Sequence, residues 1–324
     1  MSSGISRRKA LAGLGAGLGA GYIGLQIAPA RAADLPLVRV SIVPIFAVAA
    51  HFAAEKQGYF AEQGIAVTTQ PVQGGAVGIP GLASGSFDVL YANSISCMTA
   101  LARGIDLRFI AEGAPIPLQP PDPGALLIRK GEPLHSGKDF EGKVIGVNAK
   151  FDIQWLVMQG WVKKTGGDVD KITYREVPLP SMLDAIKSKQ VDGALVLDPF
   201  MTVGLGQPDF ERAGWPLSTA MPGLPTSFWV VSASVAEQKK DAIRRYQAAF
   251  LKGGQWIDAN LRNDAYNQLV ASYTRTDPAL IAKMVASEQP LSIGIEPAEK
   301  LIVMMKEYGL LKTDIDFKSK LFVA

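Results

Sequence analysis

Short apolar runs alternate with amphipathic segments along the chain between residues 37 and 231. Residues 37–43 (LVRVSIV) and 65–70 (IAVTTQ) are rich in β-branched side chains and predict strands, whereas 48–62 predicts a helix that ends at Gly64. This β-α-β alternation predicts mainly parallel sheets with helices on both faces. The same reasoning predicts strands at 89–91, 107–111, 125–128, 144–147, 173–177, 193–197 and 228–231, and helices at 76–84, 94–103, 153–164 and 181–188.

Helix-start signals add detail to the second half of the chain. Ser181 and Asp184 have the spacing of a capping box at the start of the predicted 181–188 helix. From Ser234 onward the pattern is mostly helical. Asp277-Pro278 and Glu296-Pro297 there mark two helix starts, each with Pro at the first helical position.

Two segments rich in Pro interrupt the alternation. They are 115–124 (PIPLQPPDPG) and 221–227 (MPGLPTS), and neither can lie inside a regular element. We therefore expect an α/β protein with two Rossmann-like lobes joined by two hinge crossings. The predicted boundaries are residues 33–124 plus 232–324 for the first lobe and 125–231 for the second. A ligand of such a protein binds beyond the carboxyl ends of the strands, in the cleft between the lobes.

The first 32 residues read as an export signal. Ser6-Arg7-Arg8-Lys9-Ala10-Leu11 resembles the twin-arginine motif, although Ala10 stands where Phe is typical. The stretch 10–28 is rich in Gly and only mildly apolar, and Ala30-Arg31-Ala32 offers small residues at a cleavage site. An uncleaved anchor is the alternative, but six glycines make a poor spanning helix. We expect cleavage near Ala32 and a periplasmic product. The GAGYIG at 19–24 has the spacing of a dinucleotide-binding loop but follows no strand.

Composition changes the picture of the chain's partners. The chain has 33 Lys and Arg against 30 Asp and Glu, and four of those cations lie in the signal, which leaves 29 against 30. The remainder suggests no nucleic-acid surface and no membrane surface. Cys97 is the one cysteine, so no intrachain disulfide forms, and its apolar surroundings predict a small buried core residue.

The motifs of several enzyme classes are missing from the sequence. There is no C-x-x-C, H-x-x-x-H or H-E-x-x-H spacing, no nucleophile elbow and no P-loop. His51 and His135 are the two histidines and lie far apart along the chain. We therefore expect no metal site, no cofactor and no catalytic residue.

Several segments in order resemble one family of binding proteins. Residues 55–65 (EKQGYFAEQGI) match its K-x-G-Y-F-x-x-x-G-L run, and 82–89 (LASGSFDV) match its L-x-x-G-x-x-D segment. Residues 136–147 (SGKDFEGKVIGV) resemble S-x-x-D-L-K-G-K-x-I-G-V, and 192–194 and 198–200 fit two later positions. The chain thus resembles periplasmic solute-binding proteins of ABC importers, in the nitrate/sulfonate/taurine group that also includes binders of thiamine-pyrimidine precursors.

The resemblance implies a type II periplasmic-binding-protein fold. Two lobes close over a small molecule, and the closed form docks on an inner-membrane permease. It implies a monomer that transports rather than transforms its ligand. Two alternatives stay open, namely an enzyme related to thiamine-pyrimidine-precursor synthesis and a ligand-loaded partner of a membrane sensor. The synthase chemistry is associated with a histidine donor and a cysteine-rich iron motif, which the lone Cys97 argues against.

Candidate ligand contacts follow the first-lobe strands. Phe46 comes after the first strand and either stacks on a ligand or packs inside the lobe. Gly74 and Gly75 precede a helix, where they form either a plain turn or an approach to N–H groups that favours an anion. Asn93 and Ser94 follow the third strand and suit both helix capping and ligand contact.

The second lobe has a further candidate loop at 148–152 (NAKFD). Asn148, Lys150 and Phe151 are its candidate contacts. The family often has a Gly-Ser/Thr pair here that holds an oxyanion, and Lys150-Phe151 departs from it. Lys150 either attracts an anion or is solvated, and Phe151 with Trp155 suggests a flat or apolar ligand body.

The last candidates lie near the second crossing. Asp198 precedes Pro199 and is either a helix cap or an acceptor for a ligand amine, and the cap is the favoured interpretation. Phe228 and Trp229 suit a ligand wall beside the hinge or the lobe interior. Together these residues suggest a small organic solute with an aromatic or alkyl part and a polar or anionic end.

Overall fold

The computed structural model describes residues 35–72, 75–286 and 289–323. The predicted signal at 1–32 and Gly74 lie outside the described residues. Ten strands form two sheets of five. The strands are β1 (Leu37–Ile42), β2 (Ala66–Pro71), β3 (Val89–Asn93), β4 (Leu107–Glu112), β5 (Gly124–Arg129), β6 (Val144–Val147), β7 (Thr173–Glu176), β8 (Gly193–Leu197), β9 (Phe210–Gly214) and β10 (Ser227–Ser232).

The first sheet has the order β2-β1-β3-β10-β4. β1 runs parallel to β2 and β3, and β10 is antiparallel to β3 and β4. The sheet is therefore mixed rather than mainly parallel as predicted. Its fourth strand, β10, comes after the second sheet along the chain and enters the first sheet antiparallel to its neighbours. The prediction also placed 228–231 in the second lobe, and this too is wrong, since Ser227 pairs with Asn93 in the first sheet.

The second sheet repeats this arrangement with the order β7-β6-β8-β5-β9. β6 runs parallel to β7 and β8, and β5 is antiparallel to β8 and β9. Each sheet thus contains one antiparallel strand, and that strand enters directly from a crossing. Alternating β-strands and helices lie on each side of the crossings, as predicted for two α/β lobes.

Thirteen α-helices are present in the described ranges. They are α1 (Ala49–Lys56), α2 (Tyr59–Glu62), α3 (Gly75–Ala83), α4 (Ser94–Ala102), α5 (Ile153–Lys164), α6 (Met182–Lys187), α7 (Phe200–Leu205), α8 (Pro216–Ala220), α9 (Ala233–Gln238), α10 (Lys240–Asn260), α11 (Asp264–Thr274), α12 (Pro278–Ile281) and α13 (Ile295–Glu307). None of these helices combines the length and apolar composition that a membrane span needs.

Most helix predictions agree with the structure, and three details differ. The predicted 48–62 helix is broken at Gly58, whose φ of +78° is left-handed and favours glycine. Ser181 makes no capping hydrogen bond, so the predicted capping box is wrong. Pro278 is the first residue of α12 as predicted, whereas α13 begins at Ile295 and so contains Pro297 in its first turn.

The two crossings between the sheets lie side by side. Pro115 and Pro225 form an antiparallel bridge between them. Ile116 N donates to Leu224 O at 2.9 Å, and Gly223 N donates back to Ile116 O at 3.0 Å. Both Pro-rich segments are therefore irregular, as predicted, and hydrogen bonds between their backbones hold them side by side.

The end of the chain makes a third connection between the lobes. Gly294 N donates to Glu112 Oε2 at 2.7 Å, which fixes the start of α13 to the end of β4. α13 itself packs on the second lobe, where Glu307 pairs with Lys163 of α5. The chain then returns, and Leu321 bridges Phe109 of β4. The predicted assignment of 232–324 wholly to the first lobe is therefore wrong for α13.

Candidate functional site

The loops that follow β3 and β6 meet between the two sheets. β3 runs parallel to β1 in the first sheet, and β6 runs parallel to β8 in the second sheet. Ligands of open α/β sheets bind beyond the carboxyl ends of such strands. Asn93 Nδ2 donates to Asp152 Oδ2 at 3.4 Å across this cleft. A residue of the first lobe and a residue of the second lobe are thus within reach of each other where a ligand is expected.

Asn93 is the N-cap of α4. Its Oδ1 accepts from Ser96 N at 2.8 Å, and its Nδ2 donates to Ser96 Oγ at 2.9 Å. The side chain is half-buried. Capping and cleft contact therefore coexist in one residue, as the sequence predicted, while contact with a ligand stays a prediction.

Asp152 is the N-cap of α5, and it was not among the predicted contacts. Its Oδ1 accepts from Ile153 N at 2.7 Å. Burial raises the pKa of this carboxyl, and the hydrogen bond from Ile153 opposes that rise. An Asp immediately before the predicted 153–164 helix is an N-cap pattern, and this signal in the sequence could have identified the residue.

Buried polar atoms without partners lie in the same loop. Asn148 N donates to Gln154 Oε1 at 2.8 Å, which holds the loop against the first turn of α5. Asn148 Oδ1 and Gln154 Nε2 are buried and unpaired among the described residues. An unpaired buried polar group is costly, so these two atoms mark a place where a polar solute would gain hydrogen bonds.

Lys150 and Phe151 are exposed at the edge of this loop. Lys150 N donates to Glu176 Oε1 at 2.8 Å, and its side chain reaches solvent. Phe151 is 65% exposed and has a φ of +60°, a rare backbone conformation for a bulky residue. Its ring lies 5.2 Å from the ring of Trp155. An exposed Phe151 ring in contact with the half-buried Trp155 thus stands at the edge of the cleft.

Asp198 lies at the end of β8 in the second lobe. Its Oδ1 accepts from Thr202 N at 3.0 Å and from Thr202 Oγ1 at 2.6 Å, so it caps the first turn of α7. Burial raises the pKa of this carboxyl, and hydrogen bonds from Thr202 and from the backbone of Val285 oppose the rise. The favoured cap interpretation agrees with these contacts.

A cavity of about 540 Å³ opens beside Asp198, between α7 and the segment after α12. It was not predicted, because its first-lobe wall comes from the helical C-terminal part of the chain. Its lining is mainly apolar and comprises Pro121, Met201, Thr202, Leu205, Gly206, Trp215, Arg262 and 282–285. Its volume is in the range of small-molecule sites.

Phe228 and Trp229 do not wall the cleft. Both side chains are 0% exposed. The Trp229 ring stacks on His51 with centroids 5.5 Å apart and meets Phe250 edge-on. The prediction of a ligand wall is therefore corrected, because the antiparallel return of β10 places both residues inside the first lobe.

Three other predicted contacts have structural surroundings. Ser94 is 0% exposed, and its N and Oγ both lie within hydrogen-bonding distance of Thr226 O, which anchors it to the second crossing. This corrects its predicted side-chain contact with ligand. Phe46 is half-buried in a 3-10 turn and packs against the first-lobe core. Gly75 opens α3, and Gly74 lies outside the described residues. Ligand contact by Phe46 and the two glycines stays a prediction.

The described residues contain no group of three or more His, Cys, Asp or Glu side chains that could hold a metal ion. His51 is buried between Tyr246 Oη and Thr69 Oγ1, and burial lowers its pKa to about 3, so it stays neutral. Cys97 is 0% exposed, as predicted.

Comparison with known proteins places these features in context. A family model described as NMT1/THI5 like matches residues 46–260, which include strands β2 to β10 and both crossings. No curated protein sequence matches the chain.

Solved structures share the fold at low sequence identity. The periplasmic aliphatic sulphonate binding protein SsuA from Escherichia coli is 15% identical with a TM-score of 0.73, covering 89% of this chain and 97% of its own. A zinc-bound ligand binding component of an ABC-type import system from Staphylococcus aureus is 14% identical with a TM-score of 0.70, covering 89% and 100%. The periplasmic nitrate-binding protein NrtA from Synechocystis PCC 6803 is 11% identical with a TM-score of 0.68, covering 88% and 85%. The predicted periplasmic-binding-protein fold is thus confirmed.

Proposed function

The chain belongs to the NMT1/THI5-like family, and from this membership we propose that it is the extracytoplasmic solute-binding component of an ABC-type importer. It binds a small organic molecule between its two lobes and delivers it to a permease in the inner membrane. The structural neighbours described above are binding proteins. By analogy this chain does no chemistry on its solute.

The contact between Asn93 and Asp152 carries the proposal. These residues belong to different lobes and approach to 3.4 Å in the cleft. The two crossings between the sheets pair with each other through Ile116 and Leu224, and the segment that contains α13 makes a third connection. A narrow hinge beside a direct inter-lobe contact suits two bodies that open and close, and a solute held by both bodies stabilises the closed form.

Export supports the same role. The twin-arginine pattern at 6–11 and the small residues at 30–32 predict delivery to the periplasm with cleavage near Ala32. The mature chain is then close to neutral, which suits a soluble carrier that meets its permease by shape and contacts rather than by strong charge. We propose that it works as a monomer.

A thermal-shift screen tests the binding role. We expect a member of a panel of aromatic carboxylates, alkanesulfonates, taurine, nitrate, pyrimidines and neutral amides to raise the melting temperature. A solute at 100 times its Kd stabilises the folded state by about 2.7 kcal/mol, which corresponds to a few degrees for a chain of this size.

Two Asn caps offer matched variants for this screen. Asn263 caps α11 through Tyr266 N at 3.0 Å, as Asn93 caps α4 through Ser96 N. Replacement of either by Ala removes a cap and costs about 1 kcal/mol of stability. Only Asn93→Ala is expected to reduce the response to solute as well. An equal response from both variants would place the solute outside this cleft, and turnover of a substrate by the purified protein would contradict a carrier role.

A further inference from the structure

The N-terminal cap residues of two helices meet across the cleft. α4 has nine residues and α5 has twelve, and their caps Asn93 and Asp152 lie 3.4 Å apart. The N-terminus of a helix carries a partial positive charge from its free N–H groups. Two facing N-termini would normally attract an anion between them.

Asp152 already supplies that negative charge. Its Oδ1 lies 2.7 Å from Ile153 N at the start of α5, and its Oδ2 lies 3.4 Å from the amide of Asn93 at the start of α4. One carboxylate therefore contacts the first residue of α5 and the cap residue of α4. An incoming sulfonate or carboxylate would meet a like charge where it would otherwise meet two helix N-termini.

The unpaired atoms nearby point to a different kind of solute. Gln154 is 3% exposed, and with its Oε1 taken by Asn148 N, its Nε2 lacks a partner. Asn148 Oδ1 is a buried acceptor that also lacks a partner among the described residues. The two atoms comprise one acceptor and one donor, so a solute that satisfies them carries an N–H or O–H donor together with an acceptor.

The cationic side chains near these groups are exposed to solvent, including Arg262 and Lys283, which line the cavity beside Asp198. Lys150 is exposed at the rim, where its described contact is a backbone N–H to the carboxylate of Glu176. Asp198 adds a third carboxyl on the same side of the second lobe. The side chains described above that lie inside the cleft therefore carry carboxyl and amide groups.

We propose that Asp152 acts as a built-in anion that fills the space between the two helix N-termini and selects neutral or cationic solutes with N–H donors over sulfonates and other anions. This inference rests on the proposed function, because it assigns a solute class to the same cleft. It differs from a solute with an anionic end, which the candidate contact residues left open.

Matched sulfonate and sulfonamide probes test the proposal. Methanesulfonate, ethanesulfonate and benzenesulfonate each have a sulfonamide of nearly the same size and shape, which replaces one anionic oxygen by an N–H donor group. Isothermal titration with the purified protein and with Asp152→Asn compares the members of each pair. Asn retains the N-cap of α5, and Asp152→Ser, with another good cap, serves as a second variant.

We expect the unchanged protein to bind no sulfonate more tightly than its sulfonamide. Removal of the carboxylate charge in Asp152→Asn or Asp152→Ser should strengthen the binding of at least one sulfonate by roughly 100-fold, about 2.8 kcal/mol. Asp168→Asn is the control, since Asp168 is an exposed cap beyond the other end of α5 and its loss changes the net charge equally.

Two results would overturn the proposal. One is tighter binding of a sulfonate than of its sulfonamide by the unchanged protein. The other is a folded Asp152 variant, verified by circular dichroism, that gains no affinity for any of the three sulfonates. Either result leaves the carrier role standing, because that role is judged by closure of the lobes around whichever solute binds.

Discussion

Glu112 provides a direct test of how the lobes and the C-terminal segment are joined. It ends β4 and is 4% exposed, and its Oε2 accepts from Gly294 N at 2.7 Å at the start of α13. Loss of solvation on burial raises its pKa from 4.5 to about 7, and the hydrogen bond from Gly294 opposes part of the rise. The carboxyl is therefore protonated in the folded protein under mildly acidic conditions.

The raised pKa sets the sign and size of a pH effect on stability. Between pH 4.5 and pH 7 the folded protein retains a proton that the unfolded chain has released. The contribution of Glu112 to the free energy of unfolding therefore decreases as pH rises through this window. Each pKa unit corresponds to about 1.36 kcal/mol, so the loss between pH 4.5 and pH 7 or above is up to about 3 kcal/mol.

Glu112→Gln removes the titration and retains an acceptor for Gly294 N. We expect the variant and the unchanged protein to have similar free energies of unfolding near pH 4.5. By pH 8 the variant should be more stable by up to about 3 kcal/mol. Urea unfolding followed by tryptophan fluorescence at pH 5, 6, 7 and 8 measures the difference.

Glu237→Gln serves as the control, because Glu237 is exposed on α9 of the same lobe. Its effect on stability should not change over this pH range. A difference between Glu112→Gln and the unchanged protein that is constant from pH 5 to pH 8 would refute the reasoning.

Three further substitutions test other parts of the account. Asp88 is 0% exposed and pairs with Arg39 and a lysine. Asp88→Asn should therefore lower the free energy of unfolding in urea by about 3 kcal/mol. A loss below about 1 kcal/mol would argue against a structural ion cluster. A Cβ on Gly253 would clash with Ala50 O where α1 packs on α10. Gly253→Ala should therefore lower the free energy of unfolding in urea by about 2 kcal/mol or more. An unchanged urea midpoint would be inconsistent with that packing. Phe151→Ala at the exposed rim of the cleft should change the free energy of unfolding by less than about 0.5 kcal/mol and should weaken solute binding in titration calorimetry. An unchanged affinity would show that Phe151 does not contact the solute.

Much of the fold follows from local pattern. The predicted strands at 144–147 and 193–197 and the helix at 153–164 coincide with β6, β8 and α5, because apolar period and flanking turn residues set those elements locally. Strand direction does not follow from such signals. β5 and β10 are antiparallel because each enters its sheet from a crossing, and that pairing joins residues far apart in the chain.

The candidate site was predictable in position but not in detail. Loops at the carboxyl ends of β3, β6 and β8 hold Asn93, Asn148 and Asp198, as the α/β pattern predicts. Trp229 was misplaced because an aromatic residue in a short strand has the same local sequence whether it faces a cleft or a core. Its surroundings come from α1 and α10, and local sequence does not show which helices cover a strand.

Closure of the two lobes around a solute is the central claim, and a distance measured between the lobes tests it most directly. β2 and β7 lie at the edges of the two sheets furthest from the crossings, and Gln70 and Arg175 are exposed on them. Spin labels on Gln70→Cys and Arg175→Cys can be read by double electron–electron resonance, since the native Cys97 is buried. We predict that the compound giving the largest thermal shift shortens the mean distance between labels and narrows its distribution. An unchanged distance distribution in the presence of a compound that demonstrably binds would contradict the account.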